Sequence, residues 1–170
     1  MKKALVDYIK RGAFDELYTP PYAIKPLLKY IPNGVKTIWC PCDNLESNIV
    51  KELVTNGYDV IASHIQEGKD FFTWAPTQDY DMIITNPPYS LKEEMLERCY
   101  ELGKPFALLL PMTALEGTRR HALFKNGIGL VALDKRCDFN GKGSCWFNTS
   151  WFIHSPLTDG RLFFETLERK

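Results

Sequence analysis

Short apolar runs alternate along this chain with stretches in which apolar residues recur at helical spacing. A continuous apolar run of about five residues predicts a buried strand, and apolar residues three or four positions apart predict a helix. The predicted strands cover residues 35–40, 59–63, 81–85, 106–110, 130–133 and 150–154, and the predicted helices cover 24–30, 47–55, 91–102 and 113–126. Residues 162–167 fit neither pattern clearly. Strands that alternate with helices predict an α/β fold, a mostly parallel sheet flanked by helices on both faces.

The composition is that of one soluble globular domain. Of its residues, 45% are hydrophobic and 25% are charged, as in soluble globular proteins. A length of 170 residues is enough for one buried core and too short for two ordinary domains. No apolar run approaches the ~20 residues of a membrane helix, and Asp7 within the first apolar stretch argues against a signal peptide. Five cysteines, an odd number, suit a reducing compartment. We therefore expect one domain over residues 1–170, monomeric, cytoplasmic and without membrane contact.

The charge balance gives little support to nucleic-acid binding. Basic residues number 21 and acidic residues 21, so the formal net charge is zero. A protein that neutralises many phosphates usually carries an excess of Lys and Arg. Two basic clusters, at 119–121 and at 135–136 with Lys142 nearby, form either a local basic rim or ordinary solvated surface.

The clearest chemical signal is Asn86-Pro87-Pro88-Tyr89, which follows directly on the apolar segment 81–85. These residue types suit methyl transfer to a planar nitrogen, whose delocalised lone pair must be localised by acceptors at its N–H protons. Asn86 offers a side-chain carbonyl, and Pro87 offers a backbone carbonyl that two successive prolines hold rigidly. Tyr89 offers a flat face on which an extruded base can stack. The alternative is a proline-stiffened turn.

The tetrapeptide behind an apolar strand resembles the catalytic motif of the amino-group DNA methyltransferases, chiefly the small adenine-N6 type often encoded by bacteriophages. The resemblance implies a Rossmann-like methyltransferase fold whose last strand, here 150–154, is antiparallel. It also implies S-adenosyl-L-methionine as the cofactor and assigns catalysis to Asn86, Pro87, Pro88 and Tyr89. The same four residues occur in glutamine-N5 methyltransferases and in some ribosomal-RNA guanine-N2 enzymes, so the motif indicates the reaction more than the substrate.

The resemblance further assigns cofactor contacts to loops that follow the predicted strands, where ligands of open α/β sheets bind. After the first strand the family has an acidic residue and glycines, which let the backbone approach the methionine part of the cofactor. After the second strand it has an acidic residue that binds the ribose. A later segment has an Asp that meets the adenine amino group and an aromatic residue that packs against the adenine ring. A Thr-Pro element before the first strand meets the methionine carboxylate. The corresponding residues here are Tyr18, Thr19, Pro20, Cys40, Pro41, Asp43, Ser63, His64, Asp70 and Phe71.

Two of these segments depart from the family pattern. The first loop has no glycine, and Asn44 is the residue there that tolerates a left-handed backbone. The second strand is followed by Ser63 and His64 and not by a carboxylate. Simpler interpretations also exist, namely buried thiols for the first-loop cysteines, a plain loop histidine, a turn before core aromatics at 70–71, and a helix N-cap for Thr19.

The segment 134–149 lies where the family builds its target-base pocket, between the last two predicted strands. Aromatic residues there would stack on an extruded base, at ~1–3 kcal/mol per base, and basic residues would meet phosphates. The candidates are Lys135, Arg136, Phe139, Lys142 and Trp146. A long hairpin whose aromatics only cover the end of the sheet is the alternative.

No stretch around the motif is long enough to hold a separate target-recognition domain, which a sequence-reading enzyme needs to reach base edges. A nucleic-acid substrate, DNA more than RNA, is therefore expected with low sequence specificity. It would be single-stranded or unpaired, or a partner protein would supply the specificity.

Three functions follow from these observations. The first is methylation of the adenine amino group in nucleic acid. The second is glutamine-N5 methylation of a protein, which usually comes with an N-terminal substrate-binding domain for which residues 1–34 are too few. The third is a non-catalytic binding protein that kept the fold and lost the cofactor, as the missing glycines and ribose acid suggest.

Overall fold

The computed structural model describes residues 18–139, 141, 143 and 145–168. Its strands are β1 (Thr37–Pro41), β2 (Asp59–Ser63), β3 (Met82–Thr85), β4 (Phe106–Pro111), β5 (Gly129–Leu133), β6 (Thr149–His154) and β7 (Leu162–Glu165). Its α-helices are α1 (Pro21–Leu28), α2 (Asn48–Thr55), α3 (Lys92–Leu102) and α4 (Thr118–Phe124). Short 3₁₀ segments cover Ile65–Glu67, Tyr89–Leu91 and Met112–Leu115. Within this part of the chain no helix has the length and apolar character needed to cross a membrane.

All seven strands form one sheet in the order β2-β1-β3-β4-β6-β5-β7. The strands β2, β1, β3 and β4 pair in parallel, β6 is antiparallel to both β4 and β5, and β7 is parallel to β5. The predicted α/β class, with a mostly parallel Rossmann-like sheet and an antiparallel strand at 150–154, is confirmed. The undecided segment 162–167 contributes β7, so β6 is not the final strand along the chain.

Helices cover both faces of the sheet, which explains why the strands read as continuous apolar runs. On one face α1 and α2 bury residues such as Ile24 and Leu53 against Ile38 and Trp151. On the other face α3 packs over Trp39, Phe106 and Phe152. Trp151 and Phe152 are neighbours in β6 and face opposite cores, as the period of two in a strand requires.

Three predicted elements differ from the structure by more than one residue. The helix predicted over 24–30 spans Pro21–Leu28, with a proline at its first position. The helix predicted over 113–126 is divided into a 3₁₀ segment and α4, because Gly117 between them has a φ of +116°. The strand predicted from residue 35 begins at Thr37. The backbone N–H groups of Lys36 and Thr37 donate to Asp81 Oδ2 at 2.8 and 2.9 Å, so a side chain takes the place of a strand partner there.

Candidate active site

The carboxyl ends of the parallel strands bring the predicted catalytic motif beside the loop that follows β1. From β1 the chain moves first to β2 on one side and then to β3 on the other, so the strand order reverses between β1 and β3. At such a switch point the two loops diverge and leave a crevice in which ligands bind. Asn86 leaves β3 at this point, and Cys42 leaves β1.

Two prolines end β3 and turn the chain into α3. Neither has a backbone N–H, so the strand ladder cannot continue through them. Pro88, with φ −57° and ψ 120°, leads into the 3₁₀ turn, and the Lys92 ammonium donates to the Tyr89 carbonyl at 3.2 Å. Both prolines are buried, whereas Asn86 and Tyr89 are half-buried. The two candidate side chains are therefore carried on a stiff backbone at the carboxyl edge of the sheet.

Asp43 joins three strand ends through hydrogen bonds. Its Oδ1 accepts from the Ser47 hydroxyl at 2.5 Å, and its Oδ2 lies 2.7 Å from Thr85 Oγ1. Its backbone N–H donates to the Ser63 carbonyl at 3.2 Å. The Thr85 hydroxyl also contacts the Pro41 carbonyl. Because Thr85 directly precedes the motif, this network fastens the start of the motif to the first loop.

The same network accommodates a protonated Asp43. Burial raises the pKa of Asp43 to about 7, although the hydrogen bonds from Ser47 and Thr85 act to lower it. Thr85 has a single hydroxyl proton and two neighbouring acceptors. When that proton goes to the Pro41 carbonyl, the acid form of Asp43 can donate to Thr85 Oγ1. The neutral acid therefore satisfies every polar atom in this group.

We expect Asp43 to make stability fall with rising pH. Its folded-state pKa of about 7 lies above the ordinary 3.8, so its contribution is complete below pH ~4 and is lost as the pH rises through ~7. Asp43→Asn keeps the shape and stays neutral. Urea denaturation at about pH 5 and pH 8 should show the wild type losing stability relative to Asp43→Asn. A difference between the two proteins that does not change with pH contradicts the assignment.

Cys42 adopts the left-handed conformation in the first loop. Its φ of +67° is the one positive φ of a non-glycine residue within the described part of the chain. The expectation that Asn44 would take this role was wrong, because Asn44 instead organises the turn into α2. Asn44 Oδ1 accepts from the Glu46 N–H at 2.9 Å, and the Asn44 carbonyl accepts from the Ser47 N–H at 3.0 Å.

A β-branched residue at position 42 should destabilise the protein, because left-handed backbone is strained for side chains that branch at Cβ. We expect Cys42→Val to lower the free energy of unfolding by ~2 kcal/mol relative to Cys42→Gly, the matched variant that relieves the strain. Urea denaturation of the two variants measures the difference. Equal stabilities would show that the loop does not hold this conformation in solution.

The other first-loop candidates are buried. Cys40 is fully buried within the core that includes Ile38. Burial raises the pKa of its thiol well above the ordinary value, with a further contribution from Asp43. A thiol in this state is chemically inert, which agrees with the alternative of a core cysteine. Pro41 contributes its carbonyl to the Thr85 contact.

The residues predicted to bind the ribose form hydrogen bonds within the chain. Ser63 ends β2 and His64 follows it, and the two residues are 1% and 8% exposed. Ser63 Oγ accepts from Trp39 Nε1 at 2.9 Å, and His64 Nδ1 accepts from the Gln66 N–H at 3.3 Å. Their contact with a ribose stays a prediction.

The Asp-Phe segment lies near the first loop. The pKa of the Cys42 thiol is raised well above its ordinary value by burial, and then by Asp43, Cys99 and Asp70 in that order. Cys42 packs against the core that contains Phe71. Phe71 packs on Trp39 in the core, with ring centroids 5.2 Å apart. Asp70 Oδ1 accepts from the Phe72 N–H at 3.0 Å, and the buried Phe71 fits the alternative of a turn before core aromatics. Contact of Asp70 with the cofactor stays a prediction.

The Thr-Pro segment packs against α2. The Thr19 carbonyl accepts from Asn48 Nδ2 at 3.0 Å, Thr19 itself is buried, and Tyr18 is exposed. The N-cap of α1 is Pro20, and no side chain caps that helix. The interpretation of Thr19 as an N-cap was therefore wrong. Because Asn48 begins the helix that follows the first loop, the structure brings this segment beside Asp43 and its neighbours.

An aromatic row connects Tyr89 with the predicted substrate segment. The rings of Tyr89 and Phe147 are 5.7 Å apart at 82°. Phe147 also stacks with Phe139 at 6.4 Å and meets Trp146 edge-on at 5.2 Å. Phe139 and Trp146 were candidates from the sequence, whereas Phe147 was missed. Its neighbour Trp146 has the same aromatic character, and only the folded hairpin decides which of the two turns towards Tyr89.

The basic candidates of this segment have partners in the chain. Lys135 Nζ donates to the Leu167 carbonyl at 3.1 Å and lies 3.6 Å from Asp134. Arg136 is exposed, and its Nε donates to Asn148 Oδ1 at 3.0 Å. Lys142 lies outside the described residues. Lys135 and Arg136 are thus engaged within the chain, and their contact with phosphates stays a prediction.

The arginines at 119–120 do not form the basic rim considered from the sequence. Arg119 binds Glu97 through Nε and Nη2 at 2.5 and 2.6 Å. Arg120 pairs with Glu93 and donates from Nε to the Ala114 carbonyl at 2.9 Å. Both side chains therefore fasten α4, and the segment before it, to α3.

No protein-family model matches the chain, and no curated protein matches it. Among solved structures, the chain is similar to a protein from Thermoplasma acidophilum described as "a putative methyltransferase". The two are 14% identical with a TM-score of 0.37, over 78% of this chain and 72% of the other. A similarity of this size carries no argument about function, so the assignment rests on the geometry of the site.

Proposed function

We propose that this chain is an S-adenosyl-L-methionine-dependent methyltransferase. It acts on the exocyclic amino group of adenine in nucleic acid, in DNA more than in RNA, with low sequence specificity. The observation that carries the proposal is the position of Asn86 at the switch point. Thr85, the residue before it, is joined to Asp43 of the first loop by a hydrogen bond of 2.7 Å. A crevice between two such loops is where open α/β sheets bind their ligands.

The residues around this crevice fit the polar ends of the cofactor. Asp43 follows Cys42 in the first loop, and Asp70 lies in the Asp-Phe segment. In their ionised forms these two carboxylates would suit the ammonium group and the adenine amino group. Thr19, beside α2, would meet the methionine carboxylate. When bound, the cofactor supplies an electrophilic methyl group on a sulfonium. The predicted contacts with the ribose are weaker, because Ser63 and His64 offer neutral acceptors, which bind hydroxyls less strongly than a carboxylate does.

The motif residues would act on the acceptor nitrogen. Asn86 Oδ1 and the Pro87 carbonyl accept hydrogen bonds from the amino group, so that its lone pair points towards the incoming methyl group. Because two successive prolines hold the Pro87 carbonyl before the substrate arrives, little reorganisation is needed at this acceptor during the reaction. Tyr89 supplies the stacking face for the base, with Phe147 edge-on against it at 5.7 Å.

The decisive experiment is transfer of a labelled methyl group from the cofactor to oligonucleotides with and without adenine. We expect label in the adenine-containing DNA alone, with N6-methyladenine identified by mass spectrometry. A glutamine-containing peptide is assayed in parallel. Label in the peptide or in adenine-free DNA, and none in adenine-containing DNA, contradicts the proposed substrate.

A second candidate is a binding protein without catalysis. The hydrogen bonds of Ser63 with Trp39 and of Asp43 with Ser47 and Thr85 support it, because these groups already have partners within the chain. Titration calorimetry with S-adenosylmethionine separates the two candidates. Heat that saturates supports the methyltransferase, and the absence of heat at millimolar cofactor supports the binding protein.

A further inference from the structure

Trp146 exposes an unusually large part of its side chain. The chain has four tryptophans. Trp39 and Trp151 are 0% exposed and Trp74 is half-buried, whereas Trp146 is 85% exposed. Tryptophan is on average a highly buried residue. At this exposure most of the indole surface is open to solvent, so packing within the described part of the chain does not explain why a tryptophan occupies this position.

Ring contacts connect the exposed Trp146 with Tyr89. Its ring contacts Phe147 edge-on at 5.2 Å, and Phe147 contacts Tyr89 edge-on at 5.7 Å. Trp146 therefore lies two ring contacts from the residue on which the target base would stack. We propose that Trp146 is a stacking platform for a nucleotide next to the target base in single-stranded nucleic acid. The inference rests on the proposed function for the role of Tyr89.

The spacing of the rings favours a single strand. Successive bases of one duplex strand are ~3.4 Å apart along the axis and stack on each other. A base on Tyr89 and its neighbour on Trp146 would rest on different rings, each of which meets Phe147 edge-on. In a duplex this arrangement requires two adjacent bases to leave the helix, at a cost for each. In a single strand both bases are already available.

The charge of the protein supports the same substrate. The formal net charge is zero, and Arg119 and Arg120 are held in ion pairs with Glu97 and Glu93. Contacts with phosphates, which dominate binding to duplex DNA, are therefore a small source of affinity. Aromatic stacking is the main alternative source, and it is available to unpaired bases of any sequence. Low sequence specificity then follows from the mode of binding.

The test uses the fluorescence of the full chain, titrated with single-stranded oligoadenylate and with the same strand in a duplex. We expect the single strand to quench the exposed indole and to bind at least ~10-fold more tightly than the duplex. Trp146→Ala should weaken single-strand binding by ~5–100-fold. Trp146→Phe should retain most of the affinity and lose the quenching. Trp74→Phe is the matched control and should keep both.

Three results overturn the inference. They are equal affinity of Trp146→Ala and wild type for the single strand, binding of the duplex as tight as that of the single strand, and no binding of either. Its failure is distinct from that of the proposed function. Quenching and binding without methyl transfer would support the stacking role of Trp146 and contradict the methyltransferase assignment. Methyl transfer by Trp146→Ala with an unchanged KM would support the methyltransferase assignment and contradict the stacking role.

Discussion

Asn86→Ala is expected to slow methyl transfer to adenine by ~10²–10³-fold, the usual effect of removing one fixed polar group that stabilises developing charge. The substitution removes the side-chain acceptor and leaves the buried prolines that shape the turn. Asn86 is only half-buried, so the fold should survive. Single-turnover rates with labelled cofactor and an adenine-containing oligonucleotide measure the loss, and cofactor affinity should change little.

Two further variants make this result specific. Asn86→Asp keeps an oxygen acceptor at the same position and should retain more activity than Asn86→Ala. Asn126→Ala makes the same chemical change at an exposed position beyond α4 and should behave as wild type. Equal rates for wild type and Asn86→Ala would remove the assigned role of the side chain, even if the protein proved to methylate adenine.

Trp151→Ala should produce the largest loss of stability, with the free energy of unfolding lowered by ~3–5 kcal/mol. Trp151 is fully buried in β6, in the core formed with α1 and α2. Its Nε1 donates to the Ala23 carbonyl of α1 at 2.8 Å. The truncation opens a cavity and leaves that carbonyl without its donor. Domains of this size have only ~5–15 kcal/mol of net stability, so the variant should be close to unfolding.

Urea denaturation measures this loss, and two substitutions calibrate it. Trp151→Phe keeps most of the apolar volume and removes the hydrogen bond, so its loss should be ~1–3 kcal/mol. Trp146→Ala makes the same change as Trp151→Ala on an exposed side chain and should stay within ~0.5 kcal/mol of wild type. Similar losses at positions 146 and 151 would contradict the placement of β6 in the interior of the sheet.

The elements of the fold were largely predictable because their signals are local. The predicted bounds of β2 and of α3 agree with the structure to within a residue. The interval 113–126 was harder, because one glycine with positive φ divides an otherwise helical pattern. Segment 162–167 gave no clear signal, since Phe163 packs on Tyr30 of a distant helix end while Phe164 is exposed.

The candidate site was predictable only in part. The tetrapeptide at 86–89 is contiguous, so its residue types and its proline-stiffened backbone can be read directly. In the first loop the left-handed backbone was expected at Asn44 and occurs at Cys42. Which residue has the positive φ depends on which side chain completes the turn into α2, and Asn44 does so here. The basic cluster at 119–120 could not be evaluated from the sequence, since its partners lie on another helix, more than twenty positions away.

By itself the sequence determined the α/β class, the strand that carries the motif and the chemistry that an amide, two prolines and a tyrosine can offer. These features depend on periodicity and on neighbouring residues. The tertiary structure alone decided that Thr85 bonds to Asp43, that Phe147 and not Trp146 contacts Tyr89, and that Trp146 is left exposed. These contacts depend on the order of the strands and on the path of the hairpin before β6, which no local pattern specifies.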